Sequence, residues 1–257
     1  MSGVKQNMGV HTCAVGMTLT AAQYYAIKNR LGKLLRKSTG DYWSKAEHYM
    51  VDSFREKGVW LYISRMDTIY RVKVRIEPCR VLASGDPTAL FQADKKQYHA
   101  MVEKVDSLLQ QYGLPRSIDR MKISRMDLTC DLTFRDSEMV EQHIRTLQKS
   151  FVLPHYKRVC FREGDGKTKN VREANKHSCR QQCRQAAFFA YDKTAQLQMI
   201  GRLPEWQLDK RVLRLEAELN RGAMKQHLGK RKSNYQFFEA GREASRQGDR
   251  LVPKTRV

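Results

Sequence analysis

Long apolar runs are missing from this chain. Nowhere do about eighteen apolar residues follow one another, which excludes a membrane-spanning helix as a sequence expectation. The opening MSGVKQNMGVHTCAVGMTLT has no basic region followed by an uninterrupted apolar stretch, so no signal peptide is expected and a cytoplasmic protein is. Cysteine is sparse and scattered, at 13, 79, 130, 160, 179 and 183, so a disulfide framework is not expected. No G-x-G-x-x-G and no P-loop occurs, which removes the common nucleotide folds, and no H-x-H pair occurs to bind a metal. Acid is the other scarcity: 27 Asp+Glu stand against 48 Lys+Arg, a net charge of +21. That excess is far beyond what solubility needs, and it is spread along the chain rather than held in one block. It points to a polyanion, foremost nucleic acid, whose counterions a basic surface displaces. A membrane surface fits less well, because no basic amphipathic helix with a bulky aromatic face is evident.

What is present is a core-forming sequence. The 257 residues are 41% apolar, enough for one large domain or two small ones. Alternation at a period of two predicts strands over 11–20, 58–64, 69–78, 121–134, 156–163, 185–193 and 211–220. Helical spacing predicts helices over 21–37, 93–113 and 136–150, and a short one after Asn220. The basic, glycine-interrupted stretch 164–185 reads as a loop. The first half then runs strand, helix, strand, strand, helix, and the second is similar. The expected fold is α+β, with two related halves, each an antiparallel sheet carrying helices on one face. The expected divisions are a DNA-binding half at 1–117, a catalytic half at 118–228 and a basic, poorly ordered tail at 229–257. The pentapeptide ISRMD occurs at 63–67 and again at 123–127, but in different registers, and is read as coincidence.

The most informative stretch is RVLRLEAELN, 211–220. Leu213, Leu215, Ala217 and Leu219 fall on one face, with Arg214, Glu216 and Glu218 on the other. Asp127 and Asp131 share the polar face of the 121–134 strand, and Tyr191 and Lys193 close the strand QAAFFAYDK. If these strands are neighbours, carboxylates gather around a phenol. Carboxylate oxygens suit Mg²⁺ or Mn²⁺, and such an ion suits a phosphodiester. A tyrosine beside it could attack phosphorus and form a phosphotyrosyl link, with Lys193 or Arg214 countering the developing charge. Each residue alone has a plainer reading. Acids on an open sheet face are commonly solvated or paired with Lys and Arg, and a lone tyrosine is more often a core or rim residue. His177, Cys179 and Cys183 form H-x-C-x-x-x-C, three zinc-type ligands without a fourth; His177 reads as a solvated loop residue before a ligand or base.

The set RMDLTCDL, FFAYDK and VLRLEAELNR resembles the replication-initiation-factor family, trans-acting rolling-circle initiators of small plasmids with relatives in filamentous phages. The similarity covers roughly residues 121–228. It implies an enzyme that nicks one DNA strand at an origin through a tyrosine and later rejoins it, needs a divalent metal and recruits a helicase. Carried onto this chain, Tyr191 is the nucleophile, Lys193 a phosphate contact, and Asp127, Asp131, Glu216 and Glu218 the metal candidates (Mg²⁺ or Mn²⁺). The chain departs from the family pattern in carrying KHSCRQQCRQ before the aromatic strand and Gln196 where a glutamate often follows the YDK triplet. Expected DNA contacts are Arg125, Arg180, Arg184, Arg214, Lys167, Lys169 and Lys176. A homodimer is compatible with the sequence and not required by it. The competing expectations are a nucleic-acid-binding module without catalysis, acting in replication control or on RNA, and a metal-dependent nuclease that uses water.

Overall fold

The first strand, β1 (Lys5–Leu19), lies near the middle of the sheet and uses both of its edges. In the computed structural model, residues 5–37, 47–82, 89–150, 152–160, 176–205, 209–229, 231 and 233–247 are described. Ten strands form one antiparallel sheet in the order β2-β3-β4-β5-β1-β6-β10-β9-β8-β7. The others are β2 (Leu35–Lys37), β3 (Glu47–Val51), β4 (Val59–Met66), β5 (Ile69–Ile76), β6 (Lys122–Phe134), β7 (Lys157–Arg158), β8 (Ser178–Gln182), β9 (Ala186–Asp192) and β10 (Arg211–Asn220). The α+β class is as expected, but the division into two separate sheets is corrected. β1 pairs with β5 from Cys13 to Leu19 and with β6 from Lys5 to Gly16, so a strand of 15 residues knits everything into one sheet.

Seven α-helices accompany the sheet among the described residues: α1 (Ala21–Leu31), α2 (Pro78–Val81), α3 (Lys95–Gln110), α4 (Ser137–Lys149), α5 (Lys193–Met199), α6 (Arg221–His227) and α7 (Asn234–Gln247). Each start has a local cause. Thr20 makes a reciprocal capping box with Gln23, while Asp94, Asp136 and Asn220 accept first-turn N–H groups of α3, α4 and α6. α1 stops short of the expected Lys37 because Gly32 takes a positive φ of 43°. The β4–β5 hairpin turns through Asp67, whose φ of 51° suits a two-residue turn.

The apolar face of the sheet carries Val15, Val72, Val74, Leu61 and Ile63 on one side and Met126, Leu128 and Leu219 further along, all buried. α7 packs on β1 and β6, and its Phe237 and Phe238 are buried there; Phe238 stacks edge-on against Phe91 at 5.7 Å. Of the tail expected from 229, residues 248–257 lie outside the described residues, and residues 234–247 form a helix whose Phe237, Phe238 and Ala240 sit in the core. Asn234 anchors its start by donating to the carbonyls of Ile118, Asp119 and Met121. A smaller core of Phe134, Val140, Ile144 and Leu213 joins α4 to the sheet. No described helix is long and apolar enough to cross a membrane.

Candidate functional site

Three strands bring the expected residues side by side. In register, Asp131, Arg214 and Tyr191 face one another across β6, β10 and β9; Thr129, Glu216 and Phe189 form the next row, and Asp127, Glu218 and Ala187 the third. Residues opposite one another on neighbouring strands share a face, so the alternation seen in the sequence becomes a grid of polar groups on the side of the sheet away from α4 and α7.

At the centre, the Tyr191 hydroxyl donates to Glu216 Oε1 at 2.8 Å. His11 Nδ1 lies 3.2 Å from that same oxygen. His11 reaches it because β1 carries a bulge: the pairing with β6 jumps from Val10–Leu128 to Thr12–Asp127, and the extra residue is His11. Burial alone would raise the Glu216 carboxyl. The His11 hydrogen bond and charge, followed by Arg214 and the Tyr191 hydrogen bond, outweigh burial and bring it down to about 2. Burial first, then the charge of Glu216, pushes the Tyr191 phenol well above its ordinary value. Tyr191 therefore holds its proton at neutral pH and needs an acceptor to lose it, and Glu216 is the acceptor in contact.

Lys193 opens α5 immediately after β9. Asp192 caps that helix through the Ala195 N–H at 2.8 Å, which explains the YDK triplet: a strand-end phenol, a cap and a first-turn lysine. The Lys193 ammonium sits 6.0 Å from the Tyr191 ring centre and donates to Gln196 Oε1 at 2.9 Å. Burial and the neighbouring Arg214 lower it to about 8. Glu216, Asp131 and Glu77 oppose that lowering without cancelling it, and Gln196 adds a neutral acceptor.

The remaining acids are committed to arginines. Arg214 is fully buried and holds Asp131 with two bonds of 2.7 Å. Arg125 holds Asp127 at 2.7 and 2.8 Å and also reaches Glu218 at 3.1 Å. Both are two-pronged pairs of the kind that fix geometry as well as charge. Asp127 is raised, chiefly by burial, which outweighs the opposing effect of Arg125. A Mg²⁺ or Mn²⁺ ion fits this arrangement poorly. Asp127, Asp131, Glu216 and Glu218 each spend oxygens on a cation or hydroxyl donor, and among the described residues no three His, Cys, Asp or Glu side chains group to hold a metal. His177, Cys179 and Cys183 form no such group either.

The expected DNA contacts divide. Arg214 is buried against Asp131 and faces no solvent, so it is a structural partner and not a phosphate contact. Arg125 remains partly exposed, at 27% of its side chain. Arg180 lies over the Phe189 ring at 4.5 Å, and Arg184 and Lys176 are exposed. Lys167 and Lys169, with most of the expected 164–185 loop, lie outside the described residues; that loop's last part is instead strand β8, Ser178–Gln182.

The same face of the sheet also carries a basic groove of about 1300 Å³. β5 contributes Arg71, Lys73 and Arg75; the approach to β6 and its start add Arg120, Lys122 and Arg125. With Arg116 and Arg221 its lining holds eight Lys and Arg and no Asp or Glu. The alternation of 69–76 was legible, but the acid-free lining depends on which strands are neighbours. No known protein-family pattern and no curated protein matches this chain.

Proposed function

We propose that the protein is a DNA strand transferase that cuts and rejoins one strand through a phosphotyrosine at Tyr191, as a rolling-circle replication initiator does. The observation that carries this reading is the 2.8 Å bond from the Tyr191 hydroxyl to Glu216, beside a lysine lowered to about 8 and next to a basic groove. In the proposed step, Tyr191 Oη bonds to phosphorus as the P–O3′ bond breaks. The phenol proton passes to Glu216 and on to solvent, and the leaving 3′ oxygen takes a proton from the Lys193 ammonium. Glu216, held at about 2, is a weak base, so its main task is to aim the hydroxyl; His11 Nδ1 contacts the same oxygen. Rejoining is the reverse. No step is routed through a metal, because the carboxylates are engaged by arginines and by Tyr191.

One observation favours a second reading, a nucleic-acid-binding protein without cleavage: burial is the leading cause of the raised Tyr191 phenol. A denaturing gel decides between them. Labelled hairpin and single-stranded DNA, incubated with the protein with and without Mg²⁺ or Mn²⁺, should give a covalent band that disappears completely in Tyr191→Phe. Binding without such a band under either condition favours the binding module. Cleavage that survives Tyr191→Phe indicates a water nuclease and removes the phosphotyrosine.

A further inference from the structure

We infer that the groove over β4, β5 and the end of β1 seats single-stranded DNA, with phosphates on the β5 cations and a base stacked on Tyr62. Only the strand's onward course to Tyr191 rests on the function proposed above; the binding itself does not.

Arg71, Lys73 and Arg75 recur at every second residue of β5, so all three project to one face. Their cross-strand neighbours on β4 are Ser64, Tyr62 and Trp60, and on β1 they are Thr18, Gly16 and Ala14. None of these is an acid. Among the described residues Arg125 alone of the eight lining cations has a carboxylate within ion-pair distance. Packing like charges together is costly: burial first, then Arg125 and Arg75, lower the Lys73 ammonium, against a smaller opposing effect of Glu218 and Asp127. A bound polyanion would relieve that repulsion, whereas a neutral or basic ligand would not.

The floor selects a single strand over a duplex. Gly16 and Ala14 leave the middle of the groove low, and Tyr62 stands directly opposite Lys73. The Arg75 guanidinium already lies 5.1 Å from the centre of the Trp60 ring. An aromatic ring beside cations on an open sheet, here Tyr62, takes a base that is free to stack, which a paired base is not. Arg125 lines the groove and also holds Asp127 and Glu218, so the groove abuts the Tyr191 cluster. Four strand steps separate β5 from β9, roughly 19 Å at about 4.8 Å per step.

The test is anisotropy of a short fluorescein-labelled oligothymidylate on the full chain across a salt series, with a matching duplex alongside. The combined variant Arg71→Ala, Lys73→Ala, Arg75→Ala should bind the oligothymidylate at least ~10-fold more weakly. Its log–log salt slope should be shallower by about 2, from three lost phosphate contacts. Tyr62→Ala should weaken single-strand binding roughly tenfold and leave the duplex unchanged. Should the triple variant not fold, Arg71→Ala and Lys73→Ala singly should each lower the slope by about 0.7. Wild-type affinity and slope in those variants overturn the groove assignment, and a Tyr62→Ala effect equal on both DNAs overturns its single-strand character. Loss of groove binding with the Tyr191 band retained, or the reverse, shows which of the two proposals has failed.

Discussion

The open face of this sheet contains two populations of cations that differ in what stands beside them and in how deeply they are buried. On β6, β10 and β9 every arginine on that face has an acid as neighbour: Arg214 opposite Asp131, and Arg125 beside Asp127 and Glu218. On β5 the opposite residues are Ser64, Tyr62 and Trp60, and the cations have none. The first population is structural, locked by two-pronged bonds in a setting where Arg214 sees no water. The second is left for something else to neutralise. Register, not composition, makes the difference.

The comparison is broken most severely at the buried pair. Asp131→Ala strands the Arg214 guanidinium without its counter-charge and should cost about 3–5 kcal/mol. That is a fall of roughly 10 °C in the thermal midpoint by calorimetry. Midpoints within a degree of each other would mean that Arg214 finds solvent, contrary to its complete burial. The Glu216 carboxyl gives the next effect. Its folded value, about 2, lies below the ordinary 4.5, so its contribution is fully present above about 4.5 and is lost as pH falls toward 2. The contribution is on the order of 3 kcal/mol. Glu216→Gln should flatten that part of an acid-denaturation curve, and an unchanged curve would remove the pairing with His11 and Tyr191. A kinetic effect comes third. Covalent-band formation should slow as pH rises through about 8, where Lys193 loses its proton, and Lys193→Met should abolish that fall along with most of the rate. The smallest effect sharpens the contrast. Lys73→Ala removes one of several crowded like charges, so the stability measured by urea unfolding should stay within about 0.5 kcal/mol or rise slightly. Loss of one charged side chain would then be harmless at β5 and severe at the β6–β10 pair.

Much of this was readable beforehand where the pattern is strictly periodic. The β6 and β10 alternations placed Asp127, Asp131, Arg214, Glu216 and Glu218 on one face, and their register brings them together with Tyr191. Periodicity could not say that arginines from the same strands would occupy those acids, because pairing is a property of neighbours rather than of spacing. His11 was lost for a related reason: a bulge breaks the period of two just where the side chain matters. β3 and β8 are five-residue strands in polar surroundings, too short for alternation to stand out. The final helix was not expected as one because polar residues such as Gln236, Glu239, Arg242 and Glu243 interrupt its sequence, while few apolar contacts, chiefly Phe237 and Phe238, decide its place.

That helix has a consequence for the order of assembly. Gly241 lies so close to the sheet that an added methyl group would meet Leu128 at 2.8 Å and Met126 at 3.0 Å. The middle of the sheet is thus roofed in part by residues far along the chain, and the patch around Met126 and Leu128 stays uncovered until α7 arrives. During synthesis β1 and β6 can pair early, yet their greasy side stays open to water, to chaperones or to another unfinished copy until α7 leaves the ribosome.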